Sequence, residues 1–309
     1  MRYYLGIDGG GTKTTCVVGD ETRVLARVTT GPSNIVRVGE DRARESLHGC
    51  VQQACAAAGI TPAQIERTCV GGSGAGRPEL ANIFRSILAE ILATPIVVVG
   101  DMEIALQAAF DTGPGVVVIA GTGSIAYGRN EEGKTARAGG WGFAVGDEGS
   151  AHWIGRAAVI AVLRAADESY EATASNQKSL LAEALCGVWQ VDSLIDLARR
   201  ANSNPPPDFA ALFPALASSS QEVATQILMQ AGRELARIAA LVMCRLSAAD
   251  DQGMVRVAMT GSVFGHAPLV RETFYNELRR LDARAEVIPT IVEPVEGALQ
   301  MARSSAAGN

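Results

Sequence analysis

One local pattern occurs twice in this sequence and constrains the fold more than any other feature. A short apolar run over residues 3–8 ends in an acid, and the glycine-rich segment Gly9–Thr12 and a second apolar run, residues 15–18, follow it. The same order returns with an apolar run over residues 116–120, the segment Gly121–Ser124 and a further apolar run. Short apolar runs separated by glycine turns predict paired strands. We therefore predict two structurally related halves.

The segments between these motifs predict an α/β architecture. Residues 40–58 and 77–92 have the apolar spacing of helices. Continuous apolar runs at 68–72 and 95–101 are typical of parallel strands that are buried on both faces. Residues 150–249 have a mostly helical pattern, after which the order strand, loop and helix returns.

Composition excludes several classes of protein. Of the 309 residues, 48% are hydrophobic and 19% are charged, which is typical of a globular chain. The net charge of −6 does not provide the basic surface that nucleic acids require, so we predict no nucleic-acid partner. No apolar stretch approaches the ~20 residues of a membrane helix, so we predict no membrane partner. Six cysteines without CxxC pairs, and an acid early in the chain where a secretory signal would be apolar, predict a cytoplasmic protein.

Three glycine-rich loops that follow apolar runs are candidate phosphate-binding segments: Gly9–Thr12, Gly121–Ser124 and Gly261–Ser262. Glycine lets backbone N–H groups approach an anion, and threonine or serine adds a hydroxyl donor. Tight hairpins use the same residues, but two matched loops could hold a polyphosphate from both sides. The first loop does not fit a Walker A motif, and Gly72–Gly76 has the wrong glycine spacing for a dinucleotide fingerprint.

Four further residues have chemistry that suits a site, and each has a plain structural alternative. Asp101 ends an apolar run and opens a helix, so it is either a proton acceptor at a sheet edge or a helix N-cap. Asp8 could hold the water shell of Mg²⁺ or be a buried, hydrogen-bonded acid. Asp147 lies in a glycine-flanked acidic pair and could cap the following helix. Trp141 could be a stacking platform for a sugar or a core residue.

These motifs resemble those of the sugar kinase/heat-shock protein/actin superfamily. Gly6–Thr14 looks like its first phosphate loop, Ala120–Ser124 like its second and Met259–Val263 like its adenosine loop. Gly139–Gly155 carries the most specific match, because it is similar to the Gly-Gly-Trp-Gly…Gly-Asp-Glu-Gly-Ser segment of N-acetylglucosamine kinase-like members of the BadF/BadG/BcrA/BcrD-type ATPase family. The motifs run from residue 6 to about residue 299, so the resemblance covers the whole chain.

The resemblance implies a bilobal actin-like ATPase fold of the α/β class. Two related mixed-sheet lobes would have a ligand cleft between them. The N-terminal lobe would comprise residues 1–113 plus about 291–309, and the C-terminal lobe residues 114–290, with a junction near Gly113–Gly115. ATP and Mg²⁺ are the expected cofactors. Members of the family are often dimers, so a homodimer is also an expectation.

The resemblance and the loop chemistry together give candidate site residues. The ATP-binding candidates lie in the three glycine loops: Gly9, Gly10, Gly11, Thr12, Lys13, Gly121, Thr122, Gly123, Gly261 and Ser262. The sugar-binding candidates are Asn34, Asp101, Ser124, Ile125, Gly140, Trp141 and Asp147. Asp101 matches the catalytic base of the family, and the resemblance favours a sugar-hydroxyl acceptor at Asp147. Asp8 is the candidate metal residue.

The implied activity is ATP-dependent phosphorylation of an amino sugar, foremost N-acetylglucosamine at its 6-hydroxyl. Glucosamine and N-acetylmuramic acid are alternative substrates of the same class. A different class in the same family is the ATPase that activates 2-hydroxyacyl-CoA dehydratases, which holds an iron–sulfur cluster through cysteines in a glycine-rich segment. The second phosphate loop and the Gly-Gly-Trp-Gly segment contain no cysteine here, which favours the kinase. The acidic charge disfavours a third interpretation, a DNA-binding sugar sensor.

Overall fold

The chain folds into two compact units, each described below by itself. The structure, a computed structural model, describes residues 1–168, 180–247 and 253–304. The first unit consists of Met1–Val117, Arg129–Gly133 and the described residues from Val292 onward. The second consists of Val118–Gly128 and the described residues from Lys134 to Ile291. No helix in these described ranges combines the length and the hydropathy of a membrane span.

The first unit is built on a five-stranded mixed sheet. Its first three strands are β1 (Tyr3–Gly9), β2 (Thr14–Gly19) and β3 (Val24–Thr30), which pair in the antiparallel sense as the glycine turns predict. Strands β4 (Ile65–Gly72) and β5 (Ile96–Gly100) pair in parallel on the other side of β1, so the sheet order is β3-β2-β1-β4-β5.

Helices cover both faces of this sheet. They are α1 (Ile35–Val38), α2 (Glu40–Ala57), a 3₁₀ turn (Pro62–Gln64), α3 (Pro78–Ala89), α4 (Asp101–Phe110) and α12 (Pro294–Arg303). Leu5 and Ile7 of β1 belong to one core cluster with buried residues of α2 and α3, whereas Tyr4 belongs to another with residues of α4 and α12. Alternate residues of β1 therefore enter two different cores, because side chains along a strand alternate between its faces.

The second sheet also has five strands, in the order β10-β9-β6-β7-β8. These are β6 (Gly115–Ala120), β7 (Ser124–Arg129), β8 (Thr135–Gly139), β9 (Val255–Thr260) and β10 (Ala285–Ile291). The strand–loop–strand pattern predicted at residues 116–128 is present as β6, Gly121–Gly123 and β7. The predicted α/β class with two related mixed sheets is confirmed.

The helices of the second unit are longer and pack largely against one another. They are α5 (Ala151–Glu168), α6 (Leu180–Trp189), α7 (Leu194–Ala201), a 3₁₀ turn (Phe209–Leu212), α8 (Phe213–Ala217), α9 (Glu222–Leu246), α10 (Ser262–His266) and α11 (Pro268–Leu281). Helix α9 buries one apolar stripe and packs against α11. Gly232 permits this approach, because a Cβ there would lie 2.8 Å from the Val270 carbonyl oxygen.

Candidate functional site

The carboxyl edge of the first sheet brings together residues that are far apart in sequence. In the parallel register Gly9 of β1 pairs with Gly72 of β4, and Gly72 pairs with Gly100 of β5. Ser73 and Asp101 are the residues that directly follow this row of glycines. Because parallel strands end at a common edge, Asp8, Ser73 and Asp101 are neighbours there, which is where α/β folds bind ligands.

The first glycine loop is anchored at this edge by its own backbone. The Gly10 N–H donates to the Lys13 carbonyl oxygen at 3.0 Å, which closes the turn. The Gly9 carbonyl oxygen accepts from the Ser73 N–H at 2.9 Å. Thr12 and Lys13 are exposed at the tip of the loop. The loop is thus held at its base, and a hydroxyl and an ammonium group stand at its tip.

Asn34 is positioned beside this loop by two sets of hydrogen bonds. The Gly10 carbonyl oxygen accepts from the N–H groups of both Ser33 and Asn34 at 3.2 Å. The buried Thr14 hydroxyl donates to the Gly31 carbonyl oxygen and is hydrogen-bonded to the Ser33 hydroxyl, both at 2.8 Å. The Asn34 side-chain oxygen accepts from the Arg37 N–H at 3.2 Å and caps α1. The predicted sugar-side asparagine therefore lies next to the predicted phosphate loop, in the same unit.

Burial raises the pKa values of both carboxylates of this edge, Asp8 and Asp101. Burial, with a smaller contribution from the Asp101 charge, raises the pKa of Asp8 to about 7, although Lys13 counteracts part of the shift. Burial also raises the pKa of Asp101, whereas hydrogen bonds from the Ser73 side chain and the Met102 N–H lower it. Desolvated carboxylates with raised pKa values occur often at functional sites.

The geometry at Asp101 disfavours the plain capping role. Helix α4 begins at Asp101 itself, and the N-cap position belongs to Gly100. Glu103 reaches back to complete the cap, because its Oε1 accepts from the Gly100 N–H at 3.0 Å. Asp101 Oδ1 accepts from the adjacent Met102 N–H at 2.9 Å. An N-cap would instead accept from the second or third residue after it.

The second glycine loop is fixed by the start of α5. The Gly121 N–H donates to the Gly123 carbonyl oxygen at 3.0 Å, which closes the turn between β6 and β7. The Ala151 and His152 N–H groups donate to the carbonyl oxygens of Gly121 and Thr122 at 2.9 and 3.3 Å. The helix start thus holds the loop that carries the second predicted phosphate residue, Thr122.

Asp147 lies directly against the second loop. It is 8% exposed, has φ of +61° and accepts at Oδ1 from the Gly142 N–H at 3.3 Å. A Cβ at Gly123 would lie 2.8 Å from Asp147 Oδ2, so only glycine leaves room for the carboxylate. Burial raises the pKa of Asp147, and backbone N–H groups of Gly142 and Ser124 oppose the shift. Asp147 does not cap α5, since Ser150 accepts from the Trp153 N–H at 3.2 Å.

The structure also brings three other predicted sugar-side residues together. The Ser124 hydroxyl donates to the Glu148 carbonyl oxygen at 2.8 Å, and the Ser124 carbonyl oxygen accepts from the Gly140 N–H at 2.9 Å. A Cβ at Gly140 would lie 2.7 Å from the Ile125 side chain. Ser124, Ile125 and Gly140 therefore form one surface with Asp147 in the second unit.

Trp141 is exposed, so the alternative prediction that it is a core residue is wrong. The side chain is 70% exposed on the loop after β8. The Arg137 guanidinium lies over its ring at 5.0 Å from the centroid, a cation–π contact. Phe143 and Val145 of the same loop are also exposed. The loop thus presents apolar side chains near the Asp147 surface, and glycines on both sides of Trp141 explain why no periodicity could place it.

The third glycine loop packs against the end of β6. Gly261 has φ of +104° and is the N-cap of α10, and a Cβ there would overlap the carbonyl group of Ala120. Ala120 immediately precedes the second loop, so the Gly261–Ser262 segment and the Gly121–Gly123 segment are adjacent within the second unit.

We expect Gly261→Ala to destabilise the second unit strongly. The new Cβ would be strained by the positive φ and would meet backbone that cannot move aside, each at a cost of roughly 1–3 kcal/mol. Gly265→Ala is the matched control, because a Cβ at Gly265 has no neighbour within 4 Å. Thermal unfolding should give a clearly lower Tm for Gly261→Ala only. Equal Tm values for the two variants would contradict the close packing of this loop.

Three features of these sites could not be predicted from the sequence. Strand register brings Ser73 next to Asp101, and helix geometry lets Glu103 cap the helix that Asp101 begins. The hydrogen bond between Thr14 and Ser33 is a buried contact between β2 and the segment before α1.

In the described ranges no group of three or more His, Cys, Asp or Glu residues could hold a metal ion.

Comparison with known proteins identifies the family. The sequence profile of the BadF/BadG/BcrA/BcrD ATPase family matches residues 5–302. An N-acetylmuramic acid/N-acetylglucosamine kinase of Clostridium acetobutylicum is 39% identical over 175 residues, which is 56% of this chain and 57% of that relative. An N-acetyl-D-glucosamine kinase of Dictyostelium discoideum is 29% identical over 316 residues and 98% of each chain.

The solved structures agree with this result. The crystal structure of a protein from Chromobacterium violaceum, named as a candidate N-acetylglucosamine kinase, superposes with a TM-score of 0.77 at 25% identity and covers 97% of this chain and 99% of that one. The fold of two mixed five-stranded sheets with helices is that of actin-like ATPases and sugar kinases. The family profile spans nearly the whole chain, and the protein therefore belongs to the BadF/BadG/BcrA/BcrD ATPase family.

Proposed function

We propose that this protein is an ATP-dependent amino-sugar kinase that converts N-acetylglucosamine to N-acetylglucosamine 6-phosphate. The observation that carries the proposal is the placement of Asp101 at the carboxyl edge of the first sheet, beside the first glycine loop and Ser73. The family is one of ATPases, which supports ATP as the phosphoryl donor. Two relatives are named as kinases of N-acetylglucosamine, which supports an amino sugar as the acceptor.

Asp101 is proposed as the base that accepts the hydroxyl proton. The sugar oxygen bonds to the γ-phosphorus, the bond from that phosphorus to the β-bridging oxygen breaks, and the hydroxyl proton moves to the Asp101 carboxylate. ADP and the sugar phosphate are the products. Because burial raises the pKa of Asp101, its carboxylate is a better proton acceptor than an exposed aspartate. Phosphoryl transfer depends mainly on positioning and charge stabilisation, so one base and fixed loops suffice.

The three glycine loops are proposed to hold ATP. In the first unit, the exposed hydroxyl of Thr12 and the ammonium of Lys13 would contact phosphate oxygens. In the second unit, the loop of Gly121, Thr122 and Gly123 would contribute N–H and hydroxyl donors. Gly261 and Ser262 would contact the adenosine.

Asp8 has the chemistry expected of a residue that holds Mg²⁺. Magnesium binds through one or two carboxylates together with substrate phosphates and keeps several waters. Asp8 is the second-last residue of β1 and lies directly before the first glycine loop, and burial is the main cause of its raised pKa. When bound, Mg²⁺ would neutralise the negative charge of the phosphates.

The predicted sugar-side residues are proposed to contact the acceptor sugar. Asn34 Oδ1 already accepts from Arg37, so its side-chain NH₂ is the group that would donate to a sugar oxygen. In the second unit, the Asp147 carboxylate would accept from a sugar hydroxyl, beside Ser124, Ile125 and Gly140. Arg137 covers one face of the Trp141 ring, so the other face would stack on the sugar.

A panel of acceptors tests the substrate class. With ATP and Mg²⁺, we expect N-acetylglucosamine or another 2-amino-2-deoxy sugar to give the highest kcat/KM for ADP release. The panel should include N-acetylmuramic acid, glucosamine, glucose and glycerol. The substrate class would be wrong if glucose or glycerol exceeded every amino sugar by tenfold.

Removal of the metal tests the cofactor in the same assay. We expect EDTA to abolish turnover and excess Mg²⁺ to restore it, because the transferred phosphoryl group carries charge that the protein alone does not neutralise. Undiminished turnover in EDTA would contradict the proposed requirement for a divalent cation.

A further inference from the structure

We propose that Ser73 is the positioning residue of Asp101: its hydroxyl donates a hydrogen bond to the carboxylate and fixes the direction from which that carboxylate faces the acceptor hydroxyl. The inference rests on the proposed function, since it assigns Ser73 a role in the same proton transfer. None of the sequence motifs predicted it.

The backbone around Ser73 is tied to the neighbouring strand. Gly72, the last residue of β4, pairs with Gly9 on one side and Gly100 on the other. The Ser73 N–H then donates to the Gly9 carbonyl oxygen at 2.9 Å, and the Ala75 N–H donates to the Gly72 carbonyl oxygen at 2.9 Å. Ser73 therefore occupies a tight turn whose position is set by β1, the strand that carries Asp8.

Ser73 and Asp101 directly follow Gly72 and Gly100, which pair across β4 and β5, so the two residues lie at adjacent strand ends. The Ser73 side chain lowers the pKa of Asp101 as a hydrogen-bond donor would, which agrees with this placement. Oδ1 of the Asp101 carboxylate also accepts from the Met102 N–H at 2.9 Å. The terminal torsion of an aspartate is broad, so one hydrogen bond alone permits rotation of the carboxylate. A second donor on a fixed backbone restricts that rotation, and hydrogen bonds to a charged acceptor are stronger than neutral ones.

Ser73 can be changed with little effect on its surroundings. Its hydrogen bond to the Gly9 carbonyl oxygen is donated by the backbone N–H, which alanine retains. Ser73→Ala therefore removes the hydroxyl and keeps the turn, whereas Ser73→Thr keeps the hydroxyl. Ser86 is exposed on α3 and serves as the control position.

The experiment compares kcat and the sugar KM of the wild-type protein with those of Ser73→Ala, Ser73→Thr and Ser86→Ala. We expect Ser73→Ala to lower kcat by about tenfold to a hundredfold with the sugar KM within about threefold, because a misdirected base affects the transition state more than sugar binding. Ser73→Thr should recover kcat to within about fivefold of wild type, and Ser86→Ala should match wild type. Equal losses in the alanine and threonine variants, or normal kcat in Ser73→Ala, would overturn the inference.

A double-mutant cycle separates action through Asp101 from a general structural role. In the Asp101→Asn background, Ser73→Ala should change kcat by less than about twofold, because the group that it positions is no longer a base. A full tenfold or larger loss in that background would overturn the inference. Failure of the proposed function is distinguishable, because the wild-type protein would then form no phosphosugar in the same assay, and this result would overturn both proposals.

Discussion

Asp101→Asn is expected to lower kcat by about 10²–10⁴-fold while the sugar dissociation constant changes by less than about tenfold. Asparagine keeps the size of the side chain and an oxygen that can accept from the Met102 N–H, but it cannot accept the hydroxyl proton. The fold should survive, because Gly100 and Glu103 supply the helix cap without Asp101. Steady-state kinetics and sugar calorimetry on the same preparation measure the two quantities.

Asp41→Asn is a matched control for this substitution. Asp41 is fully exposed on α2, where it forms an ion pair with Arg44 at 3.1 Å, so its loss should leave kcat unchanged. Near-normal turnover in a folded Asp101→Asn variant would remove Asp101 from the mechanism. Asp8 and Asp147 would then be the candidates for the base.

Asp8→Asn is expected to affect activity and stability in opposite directions. It removes the carboxylate proposed for Mg²⁺, and loss of a residue that orients a metal shell costs about 10–100-fold in activity. The same change removes a desolvated charge that is unfavourable in the ligand-free protein. At pH 8 it should therefore raise the free energy of unfolding by up to about 4 kcal/mol, and Tm by several degrees.

The pH dependence of this stability difference follows from the shifted pKa. Below pH 3.8 the Asp8 carboxyl is protonated in both the folded and the unfolded state, and it makes no difference to stability. Between 3.8 and about 7 the folded protein binds this proton more tightly than the unfolded chain does, so the stability of the wild type falls as pH rises. The Tm advantage of Asp8→Asn should be larger at pH 8 than at pH 5.

Asp20→Asn is a control for which the change in Tm should have the opposite sign to that of Asp8→Asn. Its Oδ1 accepts from the N–H groups of Thr22 and Arg23 at 2.8 and 2.7 Å, and these bonds lower its pKa to about 2. Neutralising Asp20 should lower Tm at pH 8. An Asp8→Asn variant whose Tm difference is the same at pH 5 and pH 8 would contradict the account of Asp8 as a desolvated charge.

Much of the fold could be predicted because its signals are local. The helices predicted over residues 40–58 and 77–92 are present as α2 (Glu40–Ala57) and α3 (Pro78–Ala89). A strand signal that proline would interrupt is harder to follow, and β10 (Ala285–Ile291) contains Pro289. β10 is an edge strand whose register with β9 shifts between Val287 and Ile291, and edges and bulges are where a sheet tolerates proline.

Site residues that lie in sequence motifs could be predicted, whereas contacts that depend on the register between strands could not. The glycine loops and their following acids are short segments with recognisable chemistry. The contact between Ser73 and Asp101 arises because β4 and β5 end level with each other, and no local pattern encodes that alignment. The contact of Gly123 with Asp147 likewise depends on how the loop after β8 returns to the β6–β7 turn.

The ratio of phosphosugar to ADP formed with N-acetylglucosamine is the measurement that tests the kinase assignment most directly. Mass spectrometry and phosphorus NMR on one reaction give both quantities and the position of the phosphate. The proposed mechanism predicts one sugar phosphate for each ADP, with the phosphate on the 6-oxygen. ADP accompanied by an equal amount of inorganic phosphate and unmodified sugar would contradict it, because the γ-phosphoryl group would then pass to water.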